Sequence, residues 1–225
     1  MTGRMTGVVA FDLDGTLVDS AGDLAAAVSA LTQELGGRAL SLAEVVAMVG
    51  EGAAVLVARA LTAAGLDPAT PGAVARFLAL YDARMFDTTT LYPGIAAVLD
   101  ALDPQMPLAL VTNKPEAPTA RMLETLGLRH YFVEVIGGDG LWPRKPDPAG
   151  LRSLDVHADG GPLVLVGDSH VDGETAARAG AAFVLAAYGF GAERVAAGTT
   201  PFVAASPADL PRLIDAALRL GRQTS

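Results

Sequence analysis

The sequence predicts a doubly wound, parallel α/β sheet with an all-helical cap inserted into it. Three observations carry the prediction. Short, fully apolar runs without strict alternation recur along the chain, as expected for strands covered on both faces. Helical patterns lie between several of these runs, which is how parallel strands are connected. A stretch spanning 18–88 has helical periodicity and no convincing strand, and it is too long for one crossover between neighbouring strands.

The elements follow in order. The first run is "VVAF" at 8–11, and it stops at Asp12. Within the insertion, Leu24, Val28, Leu31 and Leu35 recur at helical spacing. "SLAE" at 41–44 is a capping-box signature ahead of "VVAMV", and 55–64 and 74–85 read as two further helices. Hinges are expected near Leu17 and across 88–93. This division makes 1–17 and 89–225 the core and 18–88 the cap. The core resumes with "LALV" at 108–111, a helix at 115–126 and a strand at 131–136. "LVLV" at 163–166 precedes a helix at 171–179; "AFVLA" at 182–186 is the last apolar run, and a helix at 206–220 closes the chain.

Composition narrows the function. The chain has 225 residues, 51% apolar and 18% charged, which suits a globular protein with a sizeable core. A net charge of −9 argues against non-specific nucleic-acid binding, which needs basic patches. The absence of cysteine excludes disulfides, thiolate catalysis and cysteine-ligated metal. The N-terminal apolar run is too short for a signal-peptide core, and no window approaches the roughly 18 apolar residues of a membrane span. The expectation is a soluble, cytoplasmic monomer or homodimer with neither membrane nor nucleic-acid partner.

Three apolar runs end in polar residues of a particular kind. The first leads into Asp12-Leu13-Asp14-Gly15-Thr16, the second into Thr112-Asn113, and the third, through Gly167, into Asp168-Ser169-His170-Val171-Asp172. Such residues favour turns, so any one of these ends is ordinary punctuation. In an open parallel sheet, however, the carboxyl ends of the strands line one crevice, so the three ends converge. Asp12, Asp14, Asp168 and Asp172 would repel one another there unless some were protonated or a hard cation were bound. Mg²⁺ suits a few carboxylates plus waters and a phosphate oxygen. Thr112 and Asn113 offer neutral donors to that phosphate, and Lys145 offers a full positive charge. An Asp carboxylate can act as nucleophile, and a second Asp two residues on can protonate a leaving alcohol.

Other motifs fail. "DLDGT" lacks the Gly and Glu positions of a calcium loop, and "GDSHV" lacks the final Gly of a nucleophile elbow. Gly50-Glu51-Gly52 does not complete a dinucleotide fingerprint. His130, His157 and His170 share no metal-ligand spacing and read as surface or internally satisfied histidines, with His170 set apart because it follows Asp168 and Ser169.

"FDLDGTLVDS", "VTN", "RKPDP" and "GDSHVD" resemble, in order, the four motifs of the haloacid dehalogenase superfamily, whose helical cap is inserted after the first. Within it, "VGEGAAVLVARAL", "LVTNKP" and "VIGGD" look most like the phosphoglycolate phosphatases. The resemblance implies a Rossmann-like core and a role for each motif residue. Asp12 is then the nucleophile and a Mg²⁺ ligand. Asp14 is the general acid/base and ligates the metal through its backbone carbonyl. Thr112 and Asn113 bind the phosphoryl group, Lys145 neutralises charge between phosphate and Asp12, and Asp168 completes the metal shell. Asp172 and Thr16 stand behind the ligands, Asp172 orienting a ligand water or Lys145.

Relatives of other kinds are disfavoured by residue. Asp14 argues against the dehalogenases themselves, Thr16 against hexose-phosphate mutases, and a cap without lysine against a Schiff-base enzyme. The expected substrate is a small phosphorylated metabolite, with 2-phosphoglycolate favoured over a sugar phosphate or pyrophosphate. Glu51 and Arg59 are candidate cap contacts to it. Backbone N–H groups, Arg38, Arg76 and Arg84 are further donors for its carboxylate. Lys114 has no assigned role. Two other classes rank lower. Asp14 and the insertion oppose a phospho-accepting receiver, and adjacent Ser169 and His170 do not make a serine triad.

Overall fold

The structure, a computed structural model, describes residues 6–223, so the first five residues of the expected core segment lie outside it. The run Val8–Phe11 forms β1, every residue of which is buried. Val9 and Phe11 enter one hydrophobic cluster, while Val8 and Ala10 enter another on the opposite face. Both faces of the strand are therefore dry, and that is why the run is apolar without alternation.

β2 (Val18–Asp19) leads into α1 (Ala21–Glu34), α2 (Leu42–Val46), α3 (Ala53–Ala63) and α4 (Ala73–Asp82). β3 (Thr90–Leu91) then returns the chain to α5 (Ile95–Leu102), β4 (Leu108–Val111), α6 (Glu116–Thr125) and β5 (Phe132–Ile136). α7 (Ala149–Ser153), β6 (Leu163–Gly167), α8 (His170–Ala179), β7 (Ala182–Ala186), β8 (Phe202–Ala204) and α9 (Leu210–Gln223) complete it. The six-stranded sheet has the order β5-β4-β1-β6-β7-β8, and all its pairings are parallel. β1 thus lies between β4 and β6, where successive strands are laid down in opposite directions. The carboxyl ends there open a crevice.

Several elements differ from expectation. β8 has three residues and β2 and β3 two each, too few for an apolar run to register. α5 and the one-turn α7 were also not anticipated. The capping box of α2 is present, with Ser41 Oγ accepting from Glu44 N and Glu44 Oε2 accepting from Ser41 N at 2.8 Å.

β2 and β3 pair antiparallel, Val18 with Leu91 and Asp19 with Thr90, so the two connections of α1–α4 to the sheet run side by side. A buried carboxylate fastens this ribbon. Asp23 of α1 accepts from the N–H and hydroxyl of Thr88 at 2.8 and 2.6 Å, and from those of Thr89 at 3.0 and 2.6 Å.

Candidate active site

The ends of β4, β1 and β6 are adjacent, so Thr112, Asp12 and Asp168 stand side by side. Carboxylate oxygens of Asp12, Asp168 and Asp172 lie within 4.8 Å of one another. Asp172 arrives there through a capping box at the start of α8. Its Oδ2 accepts from Ser169 N at 3.0 Å and Ser169 Oγ at 2.5 Å, while its own N–H donates back to Ser169 Oγ. Its Oδ1 accepts from Lys145 Nζ at 2.6 Å. Ser169 is therefore spent on a helix cap and His170 is exposed, which removes the serine-esterase reading.

Lys145 Nζ also lies 2.9 Å from Asp12 Oδ1, with its side chain only 3% exposed. Burial opposes its charge, but Asp12 and Asp172 together outweigh that and hold it protonated. Asp12 Oδ1 is itself buried and has no hydrogen-bond donor aligned on it. Burial raises the Asp12 carboxyl to about 6; Asp172 adds to the rise and Lys145 opposes it. Asp168 is pushed well above the ordinary carboxylate range, first by burial and then by Asp172 and Asp12.

These residues fit a hard divalent cation. Both Asp172 oxygens are engaged, whereas among the described residues Asp12 Oδ1 has no aligned donor and Asp168 accepts only from Gly191 N, through Oδ2 at 2.7 Å. In the turn after β1, the Leu13 carbonyl accepts the N–H groups of Thr16, Leu17 and Val18, and none of the turn's backbone bonds goes to the Asp14 carbonyl. Gly15, at φ 87°, packs so closely that a Cβ there would meet Asp168 Oδ2 at 2.1 Å. Thr16 is fully buried behind this turn, and its carbonyl accepts from Tyr188 at 2.9 Å.

Asp14 is held from two sides. Ser20 Oγ donates to its Oδ1 at 2.5 Å, and Lys114 Nζ lies 3.1 Å from each oxygen. The same ammonium donates to Tyr81 of α4 at 2.7 Å and sits 4.4 Å from its ring centroid. Lys114 thus joins Asp14 to the helical insertion. Burial works against its charge, but Asp14 and Tyr81 prevail. Burial pushes the Tyr81 phenol up to about 12.

Asn113 spends its side-chain amide within the protein. Its side-chain N–H groups donate to Gly50 O at 3.0 Å and Lys145 O at 2.9 Å, so its amide is committed to two loops rather than free for a phosphate. Its backbone N–H has no acceptor among the described residues. Thr112 is buried beside it and accepts from Lys114 N at 3.2 Å.

The chain matches the family model described as haloacid dehalogenase-like hydrolase over residues 9–186, a span that includes every strand end just described. The chain belongs to that family. Among relatives, a phosphoglycolate phosphatase of Rhodospirillum rubrum is 45% identical over 204 residues, covering 85% of this chain and 84% of its own. One from Pseudomonas syringae pv. tomato is 40% identical and covers 97% and 82%. The crystal structure of a predicted phosphoglycolate phosphatase from Haemophilus somnus 129pt superposes with a TM-score of 0.84 at 30% identity, covering 95% of this chain and all of that one.

In this haloacid dehalogenase-like hydrolase the helical insertion covers the crevice with apolar groups, among them Leu24, Leu56, Phe77 and Leu78. Glu51 and Arg59 do not line it; they pair with each other at 2.6 Å on a partly exposed surface, because the Gly-Glu-Gly turn directs its carbonyl, not its carboxylate, towards Asn113. Gly52, at φ 90°, lies so close to the core that a Cβ there would meet Arg144 Nη1 at 3.0 Å and Asn113 O at 3.3 Å. Arg38 pairs with Glu44, Arg76 with Glu34, and Arg84 donates to Leu80 O. The cations lining the crevice are Lys114 and Arg194, both from the core. Arg194 lies outside the motifs, and Lys114 falls within "LVTNKP" as one of only two lysines in the chain, which by itself signals no role. Among the described residues no helix is long and apolar enough to cross a membrane.

Proposed function

We propose that the protein is a Mg²⁺-dependent phosphomonoester hydrolase that converts 2-phosphoglycolate to glycolate and phosphate through an aspartyl-phosphate on Asp12. The observation that carries the reading is Asp12 Oδ1, a buried carboxylate oxygen with no aligned donor, flanked by Lys145 and Asp168. The choice of 2-phosphoglycolate is supported by relatives of that name at 40–45% identity.

In this reading Asp12 Oδ1 attacks phosphorus, the bond from phosphorus to the substrate's ester oxygen breaks, and Asp14 delivers a proton to the departing alkoxide. Asp14 then takes a proton from a water that attacks the phosphoryl group, and the carboxylate of Asp12 is regenerated. Lys145, the Thr112 hydroxyl and the Asn113 backbone N–H face the charge that builds on the phosphoryl oxygens. Asp12, Asp168 and the Asp14 carbonyl would hold Mg²⁺, which supplies electrophilic stabilisation of those oxygens when bound. Asp172 holds Lys145 in place and leaves the phosphate to others.

The test is phosphate release from a panel containing 2-phosphoglycolate, sugar phosphates and pyrophosphate, with Mg²⁺ or with EDTA. Mg²⁺-dependent release that favours 2-phosphoglycolate, and is lost in Asp12→Asn, is expected. Near-normal turnover in that variant rules out the covalent route. Labelling of one equivalent without turnover points to a receiver instead.

A further inference from the structure

We propose that Arg194 receives the carboxylate of the substrate and thereby couples substrate choice to the seating of the helical insertion. The proposal rests on the site being a phosphatase for a phosphomonoester with an anionic tail.

Lys145 is shared by Asp12 and Asp172, and Lys114 is paired with Asp14. Arg194 lines the same crevice and has no carboxylate partner among the described residues. Its Nη1 donates to Val46 O at 3.0 Å and its Nη2 to Val49 O at 2.9 Å, while its Nε is buried without an acceptor. A guanidinium has five N–H donors. Two neutral carbonyls take two of them, and among the described residues no carboxylate stands within ion-pair distance of the guanidinium. In a chain of net charge −9, a half-buried cation facing a crevice and answered by no acid is a place for an anion.

Position supports the same conclusion. Arg194 follows β7 and flanks the reacting end of the crevice. A Cβ at Gly191 would meet Asp168 Oδ2 at 2.9 Å and Arg194 Nη2 at 3.3 Å, so the guanidinium and the Asp168 carboxylate stand on either side of one glycine. A two-carbon tail leaving Asp12 is short, so its carboxylate stays near the reacting end of the crevice, which Arg194 flanks. The insertion offers no cation there, since no Arg or Lys from it lines the crevice. The planar fork of Arg suits a carboxylate. Because the same group holds the carbonyls after α2, a bound tail and a seated insertion reinforce each other.

The test compares 2-phosphoglycolate with ethyl phosphate, which shares the two-carbon frame without the tail charge. In Arg194→Gln, kcat/KM for 2-phosphoglycolate should fall roughly ten- to hundredfold, mainly through KM. Ethyl phosphate should change little, and Arg194→Lys should lie between. Equal losses on both substrates, or an unchanged ratio, overturn the proposal and leave Arg194 as a tie to the insertion only. If Arg194→Gln does not accumulate as folded protein, the same ratio in Arg194→Lys decides. Wild-type preference for a different anionic tail, abolished in Arg194→Gln, overturns 2-phosphoglycolate as substrate and supports Arg194 as tail receptor. Wild-type indifference to tail charge overturns both.

Discussion

Replacing Lys145 with Met removes the one cation shared by two buried carboxylates. Its Nζ lies 2.6 Å from Asp172 Oδ1 and 2.9 Å from Asp12 Oδ1. Asp172 keeps the two donors of Ser169, so the loss falls on Asp12, whose Oδ1 has no aligned donor. Breaking a buried ion pair from one side costs about 3–5 kcal/mol, a large share of the ~5–15 kcal/mol that holds a domain folded. The cost should depend on pH in a definite direction. Asp12 is already raised from 3.8 to about 6 by burial, against the pull of Lys145. Without that pull it rises further, and the folded state then binds a proton that the unfolded state releases. The variant therefore regains stability as pH falls through its Asp12 pKa and loses it as pH rises. Each unit by which that pKa exceeds the wild-type value narrows the gap to wild type by about 1.4 kcal/mol at acid pH. Urea denaturation in EDTA at pH 8 and pH 5 measures both gaps. A gap of the same size at both values would refute the electrostatic account and leave only lost packing.

Asp14→Asn should slow release from alkyl phosphates more than from p-nitrophenyl phosphate, whose leaving group needs no proton; a uniform loss would count against Asp14 as the acid. Tyr81→Phe removes an acceptor from a buried ammonium and should cost roughly 1.5–3 kcal/mol in a denaturation experiment, with the Lys114–Asp14 pair intact. Asp23→Ala leaves the Thr88 and Thr89 donors unanswered, so amide exchange across 88–93 should quicken without loss of the sheet's protection. Mg²⁺ should raise the melting temperature more at pH 7 than at pH 5, because protons held by the raised Asp12 and Asp168 compete with the cation.

The sheet and the reacting end of the site were legible because each depends on local sequence. Buried strands must be apolar throughout, and residues such as Asp12, Thr112 and Asp168 that follow them fall at strand ends wherever the strands pair. Contacts made across the chain were not legible. Lys114 owes its role to Tyr81 and Asp14, which lie 33 and 100 residues away in sequence. Asn113 is expected at the phosphate, but which of its groups faces the crevice depends on the distant Gly50 and Lys145 carbonyls, which take its side-chain amide. Glu51 is expected at the substrate from its turn and Arg59, on α3, as a cation of the insertion; neither nearness nor charge fixes which groups point inward, and the two pair with each other instead. Arg194 closes a single 3₁₀ turn, Ala192–Arg194, without any repeated pattern, and only folding shows that it has no acidic partner among the described residues.

The side-by-side pairing of Val18–Asp19 with Thr90–Leu91 means that the insertion leaves and rejoins the sheet at nearly one place. A segment attached in this way is topologically a long hairpin loop. It can be exchanged for another without re-threading β1 or β4, and the strand-end carboxylates stay where they are. The constraint on a replacement is small and explicit. It must bring a hydroxyl to Lys114, a carbonyl to Asn113 and two carbonyls to Arg194. The strand-end carboxylates, Lys114, Lys145 and Arg194 all lie outside that segment, so an exchange alters the apolar roof over the crevice and leaves its charged groups in place.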